Sequence, residues 1–262
     1  MWPSFGPIVA VVIEDVVVSA ALFALGLFLI HRGFDAYRAG RLIRDTPTAT
    51  VHSMALGRVE LHGTAREAAT AFDRPFTDGR CLYARYRIEE YRRNGKGERE
   101  WRRIDDGTKV APFYLEDDTG RVLIAADHWT TVEISAENRS RVTVRSYESE
   151  PEAVLRFLRH DSPVEPAGGG LLGSISNAPR RYTQWVLPVD SEVYVFGGVE
   201  ECEDGEGAFR DRLVVTTDES TGRFVVSDSD PASLAETYGR RAPLLVVAGL
   251  LVSALSLSEL LG

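Results

Sequence analysis

Two apolar runs bracket the chain, and alternating positions fill the space between them. Residues 8–13 and then Val16–Ile30 (VVVSAALFALGLFLI) carry no charge, and Ala242–Leu261 (APLLVVAGLLVSALSLSELL) carries only Glu259, near its far end. A helix crossing a bilayer needs about 20 predominantly apolar residues. The pattern therefore predicts two transmembrane helices, over 8–33 and 242–261. The acidic pair Glu14-Asp15 interrupts the first run. Inside a membrane such a pair would mark an ion path, and oligomerised anchors could line a pore with it; the plainer reading sets both carboxylates at headgroup depth, in reach of water. No small-residue cleavage site follows the short, charge-free N-terminus, so the run reads as an anchor, not a removed signal peptide.

The first helix is expected to continue through HRGFDAYRAGRLI into a juxtamembrane stretch and joint over 34–47, and to stop at Thr46-Pro47, because the residue before a proline is pushed out of the helical region. Arg32, Arg38, Arg41 and Arg44 follow the first run and Arg240-Arg241 precede the second, while the outer ends carry no basic residue. The positive-inside bias then sets the intervening domain in the cytoplasm.

That domain, 48–239, reads as mainly β. In CLYARYRIEEY, Leu82, Ala84, Tyr86 and Ile88 fall on one face and Arg85, Arg87 and Glu89 on the other, the period of a half-buried strand. Asn94-Gly95 predicts a turn into a return strand with Trp101 and Ile104, and FYLEDDTGRVLI predicts a hairpin turning at Asp117–Gly120. Further strands are expected over 51–65, 130–134, 141–147, 182–187, 192–199, 212–217 and 222–227. Ser149-Glu150-Pro151 reads as a cap opening a helix to Arg159, and Asp230-Pro231 as the start of a helix leading into the second anchor. Pro163–Pro179 is a glycine-rich loop dividing two halves; with no Gly-Lys-Ser/Thr after it, it does not read as a phosphate-binding loop. The expected fold is a membrane-anchored, mainly β (α+β), barrel-like domain, with an OB-like barrel among the alternatives and one barrel or two left open.

Charge narrows the partners. Among 262 residues, 39 acidic residues outnumber 30 basic ones for a net charge of -9, and Lys96 and Lys109 are the only lysines. Nucleic acid is not the default partner of such a chain; an acidic, lysine-poor composition suits a prokaryotic, halophile-like or GC-rich source. Cys81 and Cys202 and the scattered His31, His52, His62, His128 and His160 have no ligand spacing, so no metal site, RING or cofactor is expected. The two cysteines read as a buried free pair in preference to a disulfide. Serines, histidines and aspartates occur, but nothing in the sequence places them together, and no catalytic residue is assigned.

The densest candidate chemistry lies on the hairpin around Asn94. Arg85, Arg87, Arg92, Arg93, Lys96, Arg99, Arg102 and Arg103 alternate there with Tyr83, Tyr91 and Trp101. Arginines interleaved with aromatics suit anionic lipid headgroups or a nucleic-acid strand, and Arg85, Arg87, Arg92, Arg93 and Trp101 are the candidate binding residues. Glu89, Glu90, Glu98 and Glu100 dilute that charge, so cross-strand salt bridges on a solvated hairpin are the competing reading.

In order, RDTPTATVHSMALGRVELHGTA, CLYARYRIEEYRRNGKGEREW, PFYLEDDTGRVLI, RRYTQWVLPVDSEVYVFGGV and FVVSDSDPASL before a final apolar helix resemble the GIDE, or "beside a membrane" (BAM), domain family. That family is known from the mitochondrial membrane-anchored ubiquitin and SUMO ligase called MULAN or MAPL. The resemblance implies an anchor, a β-rich domain and a second anchor, and a ubiquitin-protein transferase label. In the eukaryotic ligases a RING follows the second anchor, whereas this sequence ends at Gly262. The expectation is a noncatalytic recruitment or sensing module at the bilayer, with a protein partner, and homo-oligomerisation as an open alternative; the alternative function is a component of a ubiquitin-like transfer system.

Overall fold

The computed structural model describes residues 6–45, 48–93, 95, 97–166, 178–202, 212–229 and 231–261, without the side chains of 6–15, 39, 40, 42–45, 231–241 and 259–261. The chain divides into two units, residues 1–46 with 231–262, and residues 47–230.

The first unit is a helix pair, α1 (Gly6–Asp45) and α3 (Pro231–Leu261). Within α1, Val16–Arg38 is long and apolar enough to cross a membrane; in α3 the apolar stretch is the shorter Ala242–Ser258. Glu14 and Asp15 fall inside α1, with side chains outside the described residues. Small residues form the contact between the helices. A Cβ on Gly26 would stand 2.8 Å from the Gly249 carbonyl oxygen, and one on Gly33 would stand 3.0 Å from that of Ala242. Since 26 meets 249 and 33 meets 242, the helices run antiparallel. Val17, Leu27, Phe28, Leu244, Leu251 and Leu255 are exposed. Small residues thus lie between the two helices and large apolar ones on their outer faces.

The second unit holds β1 (Gly57–Glu67), β2 (Phe72–Asp73), β3 (Arg80–Arg93), β4 (Arg99–Val110), β5 (Phe113–Asp117), β6 (Gly120–Ile124), β7 (Thr131–Glu133), β8 (Arg139–Val144), α2 (Glu152–His160), β9 (Arg180–Pro188), β10 (Glu192–Glu201), β11 (Leu213–Thr216) and β12 (Val225–Ser227). It is mainly β, as the alternation predicts. The order β1-β5-β6-β11-β10 closes through β1–β10 pairing into a five-stranded barrel, extended from β10 by β12 and β7. All barrel pairs are antiparallel except β6 with β11. Leu61, Phe113, Leu115, Ile124, Val195 and Val215 fill its interior, each fully buried large side chain contributing about 1.5–3 kcal/mol. Gly63 and Gly197 permit the tight winding: a Cβ on either would stand within 2.5 Å and 2.4 Å of a facing strand's carbonyl oxygen.

The remaining strands build an open sheet in which β9 lies between β3 and β8, while β2 and β4 pair with β3. Helix α2 packs Val154, Phe157 and Leu158 against Tyr86, Ile88, Val144 and Tyr182 on one face, joined by Phe76. Both sheets draw strands from either side of residues 163–179, of which 167–177 lie outside the described residues.

Several local expectations need correction. β1 starts at Gly57, not at Val51: residues 51–53 form a turn because the Val51 N–H donates to Asp117 Oδ2 (2.8 Å) and the His52 N–H to Thr119 Oγ1 (2.9 Å), strapping the segment over the β5–β6 hairpin. The strand expected over 141–147 is shifted to 139–144, ending before a turn in which Tyr147 takes φ 68°. The N-cap of α2 is Pro151, whose ring has no atom to cap the helix, and the helix starts at Glu152; Glu150 turns inward to Arg180 and Tyr182. The cysteines are both free, but only Cys81 is buried; Cys202 is exposed.

Candidate functional site

Opposite α2, the open sheet presents a face set by strand register. Directly opposed residues of antiparallel strands share a face. Arg85 opposes Trp185, which opposes Arg139; Arg87 opposes Thr183, which opposes Arg141; Glu89 opposes Arg181. The guanidinium carbons of Arg85 and Arg139 both lie 5.2 Å from the Trp185 ring centroid, and that of Arg87 lies 5.9 Å away. Cation–π attraction of this kind holds arginines in a fixed array without neutralising them. Arg181 stacks 3.9 Å over Trp101, which itself packs against its register partner Tyr91.

The face is positive in an otherwise acidic chain. Arg181 is 3.7 Å from Glu89, and Arg103 on β4 is 3.3 Å from Asp106. Arg85, Arg87, Arg139 and Arg141 carry no ion pair among the described residues. Arg87 Nε and Thr183 Oγ1, on opposed positions, are buried without a hydrogen-bond partner there.

Of the residues singled out by sequence, Arg85, Arg87 and Trp101 share this face. Arg92 does not: it turns to the other side and pairs with buried Glu90. Arg92, Arg93 and Arg99 instead line a cleft of about 430 Å³ at the hairpin end, with Tyr91, Ser146 and Pro179. Asn94 and Lys96 lie outside the described residues. Sequence reading missed Trp185, Arg139, Arg141 and Arg181, although the tryptophan at a polar-flanked strand position in RRYTQWVL was a visible signal.

Glu90 is also not a solvated diluting charge. Arg180 reaches it at 3.2 Å and Glu150 at 3.1 Å, and the Tyr182 hydroxyl donates to Glu150. Burial, reinforced by the hydrogen bond and charge of Glu150, pushes the Tyr182 hydroxyl well above its ordinary value. This cluster fastens β3 and β9 to the start of α2. At one end of the barrel, Asp218 accepts from Arg58 Nε (3.1 Å), Thr221 Oγ1 (2.6 Å) and Ser220 Oγ (2.9 Å); burial alone would raise its carboxyl, but these bonds win and hold it below the ordinary carboxylate value. Among the described residues no group of three or more His, Cys, Asp or Glu is placed to hold a metal ion.

Residues 83–262 match the family model GIDE, described as E3 Ubiquitin ligase. No curated protein and no solved structure matches the chain.

Proposed function

The chain belongs to the GIDE family, and from that premise we propose that it is a membrane-anchored, noncatalytic recruitment module whose β domain gathers a protein partner at the bilayer. The observation that carries this reading is the array of four arginines, Arg85, Arg87, Arg139 and Arg141, ordered on one sheet face with no ion pair among the described residues. An ordered array of cations supports binding of an anionic partner, and the carboxylate placed beside it, Glu89, is engaged by Arg181. A RING requires two zinc sites with four ligands each, and residues 1–262 contain two cysteines and five histidines without that spacing. The ubiquitin-ligase label supports, as the alternative, a component of a ubiquitin-like transfer system in which residues 1–262 do not supply the RING.

The barrel order supports an OB-like reading. In chain order of barrel strands, the first pairs with the second, second with third, third in parallel with fifth, fifth with fourth, and fourth with first, a five-stranded closure with the open sheet built from its inserted connections. The antiparallel helix pair supports two passes, 8–33 and 242–261, and Arg32, Arg38 and Arg41 support a cytoplasmic side for residues 48–239 through the positive-inside bias.

Two experiments test these readings. Protease added to sealed, right-side-out vesicles leaves the domain intact and cuts it only after permeabilisation; cutting without permeabilisation reverses the orientation. Incubated with activating enzyme and a ubiquitin-charged conjugating enzyme, the full chain leaves the rate of ubiquitin discharge at its background value. Accelerated discharge would make the chain a transferase in its own right.

A further inference from the structure

Strand β8 is an edge of the open sheet: it pairs with β9 and has no strand on its other side among the described residues. An edge strand offers a row of backbone N–H and C=O groups to any extended segment. Along β8, Arg139, Arg141 and Thr143 point to the arginine-tryptophan face by their register with Trp185, Thr183 and Arg181, and all three are exposed. Arg139 and Arg141 have no ion pair among the described residues, and behind them stand Arg85 and Arg87, which have none either.

We infer that β8 is a docking edge for an extended acidic polypeptide, taken up as an added strand whose carboxylates, at alternate positions, meet Arg139 and Arg141. This rests on the recruitment reading and names its surface and the chemistry of its partner. Backbone bonds to β8 supply sequence-independent attachment, and side chains two residues apart on the added strand fall beside the two arginines, at the cross-strand spacing of about 5 Å. Charge does the selecting. Arginines on an edge repel a second copy of that edge and other basic strands, and the same charges favour an acidic one.

A polypeptide fits better than the other polyanions. Trp185 already has three guanidinium groups within 5.9 Å of its ring centre, and Trp101 is covered by Arg181 at 3.9 Å, so neither indole offers a free face for stacking a nucleobase. A lipid headgroup uses the charge but leaves the backbone edge of β8 unused.

The test uses the full chain in nonionic detergent and a fluorescent peptide alternating Glu with Val, followed by anisotropy. The account expects saturable binding that weakens with salt, and about a tenfold or greater loss in the Arg139→Glu/Arg141→Glu double variant. It also expects a similar loss for a peptide of the same composition interrupted by proline, which cannot complete a strand. Arg141→Gln loses affinity severalfold while unfolding at the parent temperature, which separates lost charge from lost fold. Absence of binding, equal binding of the interrupted peptide, no effect of the charge reversal, or preference for a single-stranded oligonucleotide or phosphatidylglycerol-doped micelles overturns the inference. If affinity purification from cells recovers the same partners with the parent and the double variant, this edge is wrong and recruitment stands; if the parent recovers none, recruitment itself fails.

Discussion

Arg180 on β9 meets Glu150, two residues ahead of helix α2, at 3.1 Å, with side chains 8% and 0% exposed. The same guanidinium reaches Glu90 at 3.2 Å. A buried ion pair gains little over apolar packing, but removing one member strands the other charge in a poor solvent. Arg180→Leu is expected to destabilise the domain by about 3 kcal/mol or more, and Glu150→Gln, which keeps a hydrogen-bonding side chain, by about 1–3 kcal/mol. Denaturant unfolding followed by tryptophan fluorescence checks both; equal, small losses would mean that the cluster is solvated.

Asp218 contributes to the acid limb of stability, as does Asp117. The Asp218 carboxyl lies below the ordinary value in the folded domain because Thr221, Ser220 and Arg58 outweigh burial. A depressed acid contributes stability that is full above the unfolded value, about 3.9, and lost as pH falls through the folded one. Asp218→Asn is expected to lower stability near neutral pH and to flatten its fall in acid. Unfolding midpoints measured from neutral pH downward test this, and parallel curves for parent and variant contradict it.

The two thiols differ sharply. Burial pushes the Cys81 thiol up to about 11, whereas Cys202 is exposed. Maleimide labels Cys202 alone in the folded chain and both cysteines after unfolding. Rapid labelling of Cys81 in the folded protein would show that the sheet opens there.

The helix pair depends on its glycines. A Cβ at Gly26 stands 2.2 Å from Ser253 Oγ and 2.8 Å from the Gly249 carbonyl oxygen. Gly26→Leu is expected to lower the thermal midpoint of the helices, read by circular dichroism in detergent, and Gly26→Ala to lower it less. Leu25→Ala, on the exposed side, leaves it unchanged.

Local pattern carried much of this architecture. CLYARYRIEEY alternates in β3 as its sequence predicts, and Asp117–Gly120 forms the expected hairpin turn, because both depend on neighbours within a few residues. The barrel closure and the arginine face depend on pairing across long separations. Trp185 joins Arg85 and Arg139 only through the register of β3, β9 and β8. Glu90 was illegible for the same reason. Next to Glu89 in a charged run it reads as solvated, and its burial follows from Arg180, which lies 90 residues away in sequence.

The central claim is that the β domain gathers a protein at the membrane. Its most direct measurement is affinity purification of the tagged, detergent-solubilised chain from its own cells, with mass spectrometry of what accompanies it, against a control lacking residues 46–239. The account predicts partners recovered with the full chain and lost with the control, carrying acidic extended segments. Identical recovery from both, or none from either, would contradict it.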